Sequence, residues 1–346
     1  MLLFRAYYSK YIAGKQSRCY IWIILIRKEE IFFGESSVQS LKLGDVVLHS
    51  PLWNAGGTCK SKKDIDLLVK TRVGAIEYGS ITAEPRDGNP GTVIHVNDDG
   101  NSLNSIGLKN EGVAYYMERL PWLVEIARGY GKPFFLNIAG SNPSDFIVLA
   151  SLALAAKVDA MVVNLSCPNA HDANALLCFQ LDTVGMVLNA VRRGSENKIP
   201  LIPKISPITD PSYRATLVRF LASFPEVAAI ASCNTFPGCW DCDDEGKSYI
   251  SGTGYAGGAG DQLFQFNLGQ VRSICHLLNQ EGRGRDIPVI GIGGVTDGRR
   301  AHQYIRAGAR FVAMHTAARN PQPPYQLLPD AFDRVSDELS AIILTN

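Results

Sequence analysis

The chain has 346 residues, 46% hydrophobic and 19% charged, with 34 Lys and Arg against 33 Asp and Glu for a formal net charge of +1. This is the balance of a globular chain able to bury a large core, and the lack of a basic stripe argues against nucleic acid as a partner. Its eight cysteines lack the short, even spacing of a secreted disulfide scaffold, so free thiols in a reducing cytoplasm are expected.

Residues 1–37 differ from the rest. Arg5, Lys10, Lys15, Arg18, Arg27 and Lys28 all precede the first acid, Glu29, and the apolar run 20–26 is far too short to cross a bilayer. No small-residue cleavage site follows it, so the segment reads as a basic extension, expected to be poorly ordered. A mitochondrial transit role or a membrane-surface role is also compatible with its composition. No integral membrane segment is expected anywhere in the chain.

The catalytic domain is expected over 38–346. Alternation over 41–49 suggests a small hairpin closing the bottom of a barrel. Short apolar runs follow at 52–55, 75–79, 134–139, 160–164, 201–205, 227–232, 289–293 and 311–315. Helix-like segments lie between them at 62–70, 112–129, 143–156, 181–193, 211–223, 263–279 and 299–307. Strands alternating with helices over roughly 250 residues predict an α/β fold, a (β/α)₈ TIM barrel. A doubly wound sheet shares the alternation, but here polar residues end several different runs instead of meeting at one crevice. Two long inserts, 86–110 and 236–260, follow the second and sixth runs and are expected to fold over the C-terminal barrel mouth.

Chemistry gathers where the strands end. The stretch 159–169 begins as a buried β-branched run and finishes with Asn164, Ser166, Cys167, Pro168 and Asn169. Two amides and a thiol there suit a planar heterocycle with carbonyl and N–H groups and could also move a proton; a capped strand followed by a turn is the plainer alternative. Lys204 sits inside an apolar strand, where an ammonium must be paired or reach the rim. Gly291, Gly293 and Gly294 precede a helix starting near Gly298, the arrangement of a phosphate site, and Thr316 can add a hydroxyl. Gly252, Gly254 and Gly257 spell G-x-G-x-x-G without the strand before it and the helix after it that a dinucleotide site requires. Cys239 and Cys242 have C-x-x-C spacing, but acids crowd them and no second pair accompanies them, so no metal is expected.

Asn-Leu-Ser-Cys-Pro-Asn at 164–169 resembles the active-site loop of the dihydroorotate dehydrogenase family, class 1, closest to the fumarate-type class 1A. The likeness runs in order through Asn-Ala-Gly-Gly (54–57), Arg-Asp-Gly-Asn-Pro (86–90), Asn-Ser-Ile-Gly-Leu-Lys-Asn (104–110), Pro-Lys-Ile (203–205), Cys-Asn-Thr (233–235) and Gly-Ile-Gly-Gly-Val (291–295). The resemblance implies FMN-dependent oxidation of (S)-dihydroorotate to orotate in pyrimidine synthesis, with electrons passed to fumarate or another small acceptor and a possible homodimer. It implies Cys167 as the catalytic base. Ala55, Gly56, Lys204, Thr235, Gly257, Gly258, Gly293, Gly294 and Thr316 are implied to bind FMN. Asn104, Gly107, Leu108, Asn164, Asn169 and Asn234 are implied to bind substrate. Departures are Gly79, where class 1 members generally carry lysine, and His315, where many carry glycine; class 2 members instead place a lysine in the first loop, which makes Lys60 or His315 the candidate to compensate for Gly79. Another FMN-dependent pyrimidine-ring oxidoreductase, or a flavin-binding scaffold without turnover, is the rival reading.

Overall fold

The computed structural model describes residues 30–32, 38–166 and 176–345. Cys167, Asn169 and, save Glu30–Phe32, the extension 1–37 therefore lie outside the described residues. Two compact units are distinguished, Met1–Ser40 and Leu41–Asn346. In the first, β1 (Glu30–Phe32) pairs antiparallel with β2 (Val38–Ser40), with Glu30 opposite Ser40.

The second unit opens with the expected small hairpin, β3 (Lys42–Leu43) and β4 (Val46–Val47). Gly44 turns it at φ +56°, against Ala228 and Pro200 at the N-terminal strand ends. Next in chain order come β5 (Leu52–Asn54), α1 (Lys62–Leu68), β6 (Ile76–Ile81), β7 (Ile94–Val96), β8 (Asn101–Asn104), α2 (Gly112–Gly129), β9 (Phe134–Ile138) and α3 (Pro143–Ala155). They are followed by β10 (Ala160–Asn164), α4 (Leu181–Gly194), β11 (Leu201–Ile205), α5 (Pro211–Ala222), β12 (Ile230–Ser232), β13 (Phe236–Cys239), β14 (Ala256–Gly260) and α6 (Asp261–Gln280). The chain ends with β15 (Val289–Ile292), α7 (Gly298–Arg306), β16 (Phe311–Met314) and α8 (Asp330–Thr345).

Eight parallel strands in the order β5-β16-β15-β12-β11-β10-β9-β6, each followed by a helix, make the (β/α)₈ barrel. The β5 and β6 edges meet by another route. Asn54 Nδ2 donates to the Glu77 carbonyl (2.6 Å), Asn54 Oδ1 accepts the Glu77 N–H (3.1 Å), and Cys59 bridges Tyr78. A side-chain amide thus replaces missing ladder bonds and draws the first strand–helix loop onto the rim.

Local sequence explains the helix starts. Ser61 and Asp64 form a capping box on α1. Asn142 and Asp210 cap α3 and α5 just before Pro143 and Pro211, where proline's missing N–H costs nothing. Every residue of β9, β10 and β11 is buried, as parallel strands with both faces covered must be. Inside the barrel Trp53 meets Phe135 and Phe311, with ring centroids 5.5 and 5.4 Å apart.

Two features go beyond the sequence reading. The inserts are not plain loops: β13, β14, β8 and β7 join as a four-stranded antiparallel sheet. The eighth helix, α8, buries Phe332, Val335 and Leu339 and accepts the Gly298 N–H on Glu338 (2.7 Å). Among the described residues no helix is long and apolar enough to cross a membrane.

Candidate active site

The strand register decides which polar side chains meet. Asn164 of β10 stands opposite Lys204 of β11, and Gly79 of β6 opposite Asn137 of β9. A chain of hydrogen bonds follows. Glu77 Oε1 accepts Asn137 Nδ2 (2.7 Å), Asn137 Oδ1 accepts the Ser80 hydroxyl (2.5 Å), and Ser80 Oγ accepts Asn164 Nδ2 (3.4 Å). Asn164 Oδ1 accepts both the Ser166 N–H (3.1 Å) and Asn234 Nδ2 (3.2 Å). Asn234 Nδ2 also reaches the Ser166 carbonyl (2.7 Å), and the Ser166 hydroxyl donates to the Lys204 carbonyl (3.1 Å). Ser166, which leads directly into Cys167, is therefore fixed from three sides.

From Asn234 the connection continues into the insert sheet. The Thr235 N–H donates to Asn234 Oδ1 (2.9 Å), the Thr235 hydroxyl packs on Gly257, and Asn104 Nδ2 donates to the Gly257 carbonyl (3.2 Å). The structure thus brings Asn104, Asn164, Asn234, Thr235, Gly257 and Lys204 to one mouth. Ala55 and Gly56 complete it: the Ala55 N–H bonds the Met314 carbonyl (2.9 Å), and a Cβ on Gly56 would fall 2.7 Å from Glu77 Oε1. Gly107 and Leu108 lie in the turn after β8, outside that chain of bonds, held by Arg86 Nε on the Gly107 carbonyl (3.2 Å) and Asn110 Nδ2 on the Leu108 carbonyl (2.7 Å). Lys60 ties the same turn down through the Lys109 carbonyl (3.3 Å).

Glycine has a different reason at each position. Gly257 and Gly258 make room for Thr235 and Cys239. Gly293 and Gly294, at φ +122° and +62°, lie against Leu263 and Phe264 of α6. Arg300 Nη1 donates to the Gly294 carbonyl (2.9 Å) and is ion-paired with Asp261, which places a charge-balanced guanidinium at the expected phosphate end. Thr316 Oγ1 lies 3.2 Å from Ser102 Oγ, joining that end to the insert sheet. At Gly79, φ +119°, a Cβ would sit 2.5 Å from the Asn137 carbonyl oxygen, so no lysine fits there without moving backbone.

Glu77 and Lys204 are 2% and 5% exposed, and no other Asp, Glu, Lys or Arg among the described residues is as buried. Among the described residues Lys204 Nζ has no hydrogen-bond or ion-pair partner within 4.0 Å. Burial raises the Glu77 carboxyl, opposed first by Lys204. Desolvation, with Arg319, Lys204 and Lys60 nearby, takes His315 down to about 3, although the residue is only partly shielded from solvent. His315 is therefore a neutral imidazole whose folded pKa lies below its unfolded value near 6.5. Its contribution to stability is complete above about pH 6.5 and is lost as pH falls toward about 3. His315→Phe should accordingly flatten the pH dependence of the urea midpoint, with wild type losing about 2–3 kcal/mol more than the variant between roughly pH 7 and 4. Parallel curves for the two proteins would refute this.

Sequence reasoning missed Glu77, Ser80, Asn137 and Arg300. Glu77 and Asn137 carry the same mark that singled out Lys204: one polar residue inside an apolar strand. The G-x-G-x-x-G stretch places Gly252 and Gly254 before β14, so no strand–turn–helix phosphate site forms there. Cys239 packs against Leu103, Ile250 and Ala256, and the Cys242 N–H donates to Asp241 Oδ1 (2.9 Å). The other end of the barrel holds a cavity of about 750 Å³ lined by Gly44, Val46, Pro133, Asn197, Pro200 and Glu226, away from every site residue named above.

A family model described as dihydroorotate dehydrogenase matches residues 39–343. The chain is 30% identical over 314 residues to dihydroorotate dehydrogenase A (fumarate) of Lacticaseibacillus paracasei, covering 88% of this chain and 98% of that protein. It is 29% identical over 284 residues to the catalytic subunit of dihydroorotate dehydrogenase B (NAD(+)) of Pelobacter propionicus, covering 81% and 87%. The crystal structure of a dihydroorotate dehydrogenase from Eimeria tenella in complex with ferulenol superposes with a TM-score of 0.70 at 20% identity, over 88% of this chain and 84% of that one, a likeness of fold.

Proposed function

The chain belongs to the dihydroorotate dehydrogenase family, and from that premise we propose that it oxidises (S)-dihydroorotate to orotate with FMN and passes the electrons to fumarate or another small acceptor. The observation that carries this reading is the pairing of Asn164 and Asn234 beside the buried ammonium of Lys204, unpartnered among the described residues, at the strand ends. Amide edges present both donors and acceptors to a ring of alternating C=O and N–H groups. The ammonium suits a group that gains negative charge.

The residues present fit FMN. Gly293, Gly294 and Thr316, with Arg300 beside them, would take the phosphate. Ala55, Gly56, Lys204, Thr235, Gly257 and Gly258 would line the ring. Bound FMN supplies the hydride acceptor. Asn104, Asn164 and Asn234, together with Asn169, Gly107 and Leu108, hold the substrate ring, and Cys167 takes the proton from C5. Ser166, bonded to Asn164, Asn234 and the Lys204 carbonyl, sets where the Cys167 loop departs.

Orotate carries a carboxylate that uracil lacks. Titrated into the oxidised yellow protein, orotate should perturb the flavin absorbance at far lower concentration than uracil. Equal responses to the two would favour a different pyrimidine as substrate.

A further inference from the structure

The carboxylate of Glu77 plays no part in the reaction as described so far, yet it is the most buried charge in the site. It lies on β6 with Trp53 of β5 and Asn137 of β9 around it. Trp53 Nε1 donates to Oε2 (3.3 Å) and Asn137 Nδ2 to Oε1 (2.7 Å), while the Gly56 N–H also faces it. Every one of these neighbours is a donor, which favours the ionised, acceptor-only carboxylate against the burial that raises its pKa. The titratable group facing it is Lys204 of β11; β5 and β9 contribute only the neutral Trp53 and Asn137. Lys204 and Glu77 nevertheless form no contact within 4.0 Å. Lys204 thus balances Glu77 across a gap, and its charge remains available to something else. Gly56 of the first loop presses on the carboxylate so closely that a Cβ there would collide with Glu77 and Asn137. Whatever rests on Ala55 and Gly56 lies one backbone thickness from Glu77.

We propose that Glu77 is the proton acceptor coupled to reduction of this site, ionised against Lys204 at rest and protonated once an electron pair has entered. This rests on the flavin reading above. The balance is as follows. Two electrons and one proton arrive together as the hydride from C6 of the substrate. Lys204 then faces the new negative charge and no longer offsets Glu77. A second proton, from solvent, forms the O–H bond of the Glu77 carboxyl. The site therefore gains two protons per electron pair, one carried in with the hydride when dihydroorotate is the reductant and one taken from solvent by Glu77; with a reductant that supplies electrons alone, both come from solvent.

The test is a reductive titration of the FMN-loaded protein at a series of pH values, with potential read from absorbance. Near neutral pH the wild-type potential should fall with pH twice as steeply as that of Glu77→Gln, which takes up one proton. Because Gln offers one acceptor oxygen to several donors and so lowers stability, the wild-type protein supplies an independent reading. Its reduced-minus-oxidised infrared difference spectrum should gain a protonated carboxyl band that shifts in heavy water. A one-proton slope in wild type without that band overturns the inference, as does a Glu77→Gln slope equal to wild type. A purified protein unable to bind FMN would remove the flavin reading and this inference together, and its first absorbance spectrum shows which has failed.

Discussion

Cys167→Ala is expected to keep FMN and bind orotate nearly as wild type does, while its flavin is reduced by dihydroorotate about 10²–10⁴-fold more slowly, the usual contribution of a positioned base. Binding survives because Asn164, Asn234 and Lys204 are anchored by their own bonds and registers. In wild type the reductive rate should rise with pH as the thiol ionises, since the thiolate is the stronger proton acceptor. Cys167→Ser should fall between, its hydroxyl giving up a proton less readily. The cysteines nearest the described site are poor substitutes. Cys178 receives the Ser166 hydroxyl at 3.6 Å, and burial pushes its thiol up. Cys233, at the end of β12, is raised further by burial despite Lys204. Replaced singly, they should leave the pH profile unchanged. A Cys167→Ala protein reduced at the wild-type rate would place the base elsewhere.

Gly294→Val should yield a protein without flavin. At φ +62° an L side chain is strained by roughly 1–2 kcal/mol. Its Cβ would also sit 2.5 Å from Phe264 Cβ and 3.0 Å from the Gly260 carbonyl oxygen, and such overpacking costs about 1–3 kcal/mol more. The collision is with the start of α6, so FMN is lost because the loop that would cradle its phosphate moves. Visible absorbance of the purified variant, with circular dichroism to confirm folding, checks this. A folded, yellow Gly294→Val protein contradicts the phosphate assignment.

The barrel was legible because its strands are short apolar runs buried on both faces, a pattern that survives without long-range information. The starts of α3 and α5 were legible at Pro143 and Pro211, while the caps supplied by Asn142 and Asp210 emerge in the structure. The eighth helix was overlooked although Phe332, Val335 and Leu339 repeat at helical spacing, because the family likeness ended near Asn320. The insert sheet was not legible: β8 and β14 pair only with partners far away in sequence, and the Ala-Gly-Gly-Ala-Gly strand has almost no propensity of its own. Asn164, Asn234 and Lys204, each expected at the site, come together because all three lie at or next to the C-terminal ends of strands of one barrel. Glu77 and Asn137 carried the same mark as Lys204, a polar residue inside an apolar strand, but the side-chain bond that joins them across β6 and β9 is not displayed by sequence alone.

The central claim is that this mouth performs dihydroorotate chemistry, and anaerobic stopped-flow mixing of the yellow protein with (S)-dihydroorotate tests it most directly. The expected result is rapid bleaching of the flavin absorbance, then recovery on adding a suitable acceptor such as fumarate. Flavin that stays oxidised in the presence of saturating dihydroorotate would contradict the account.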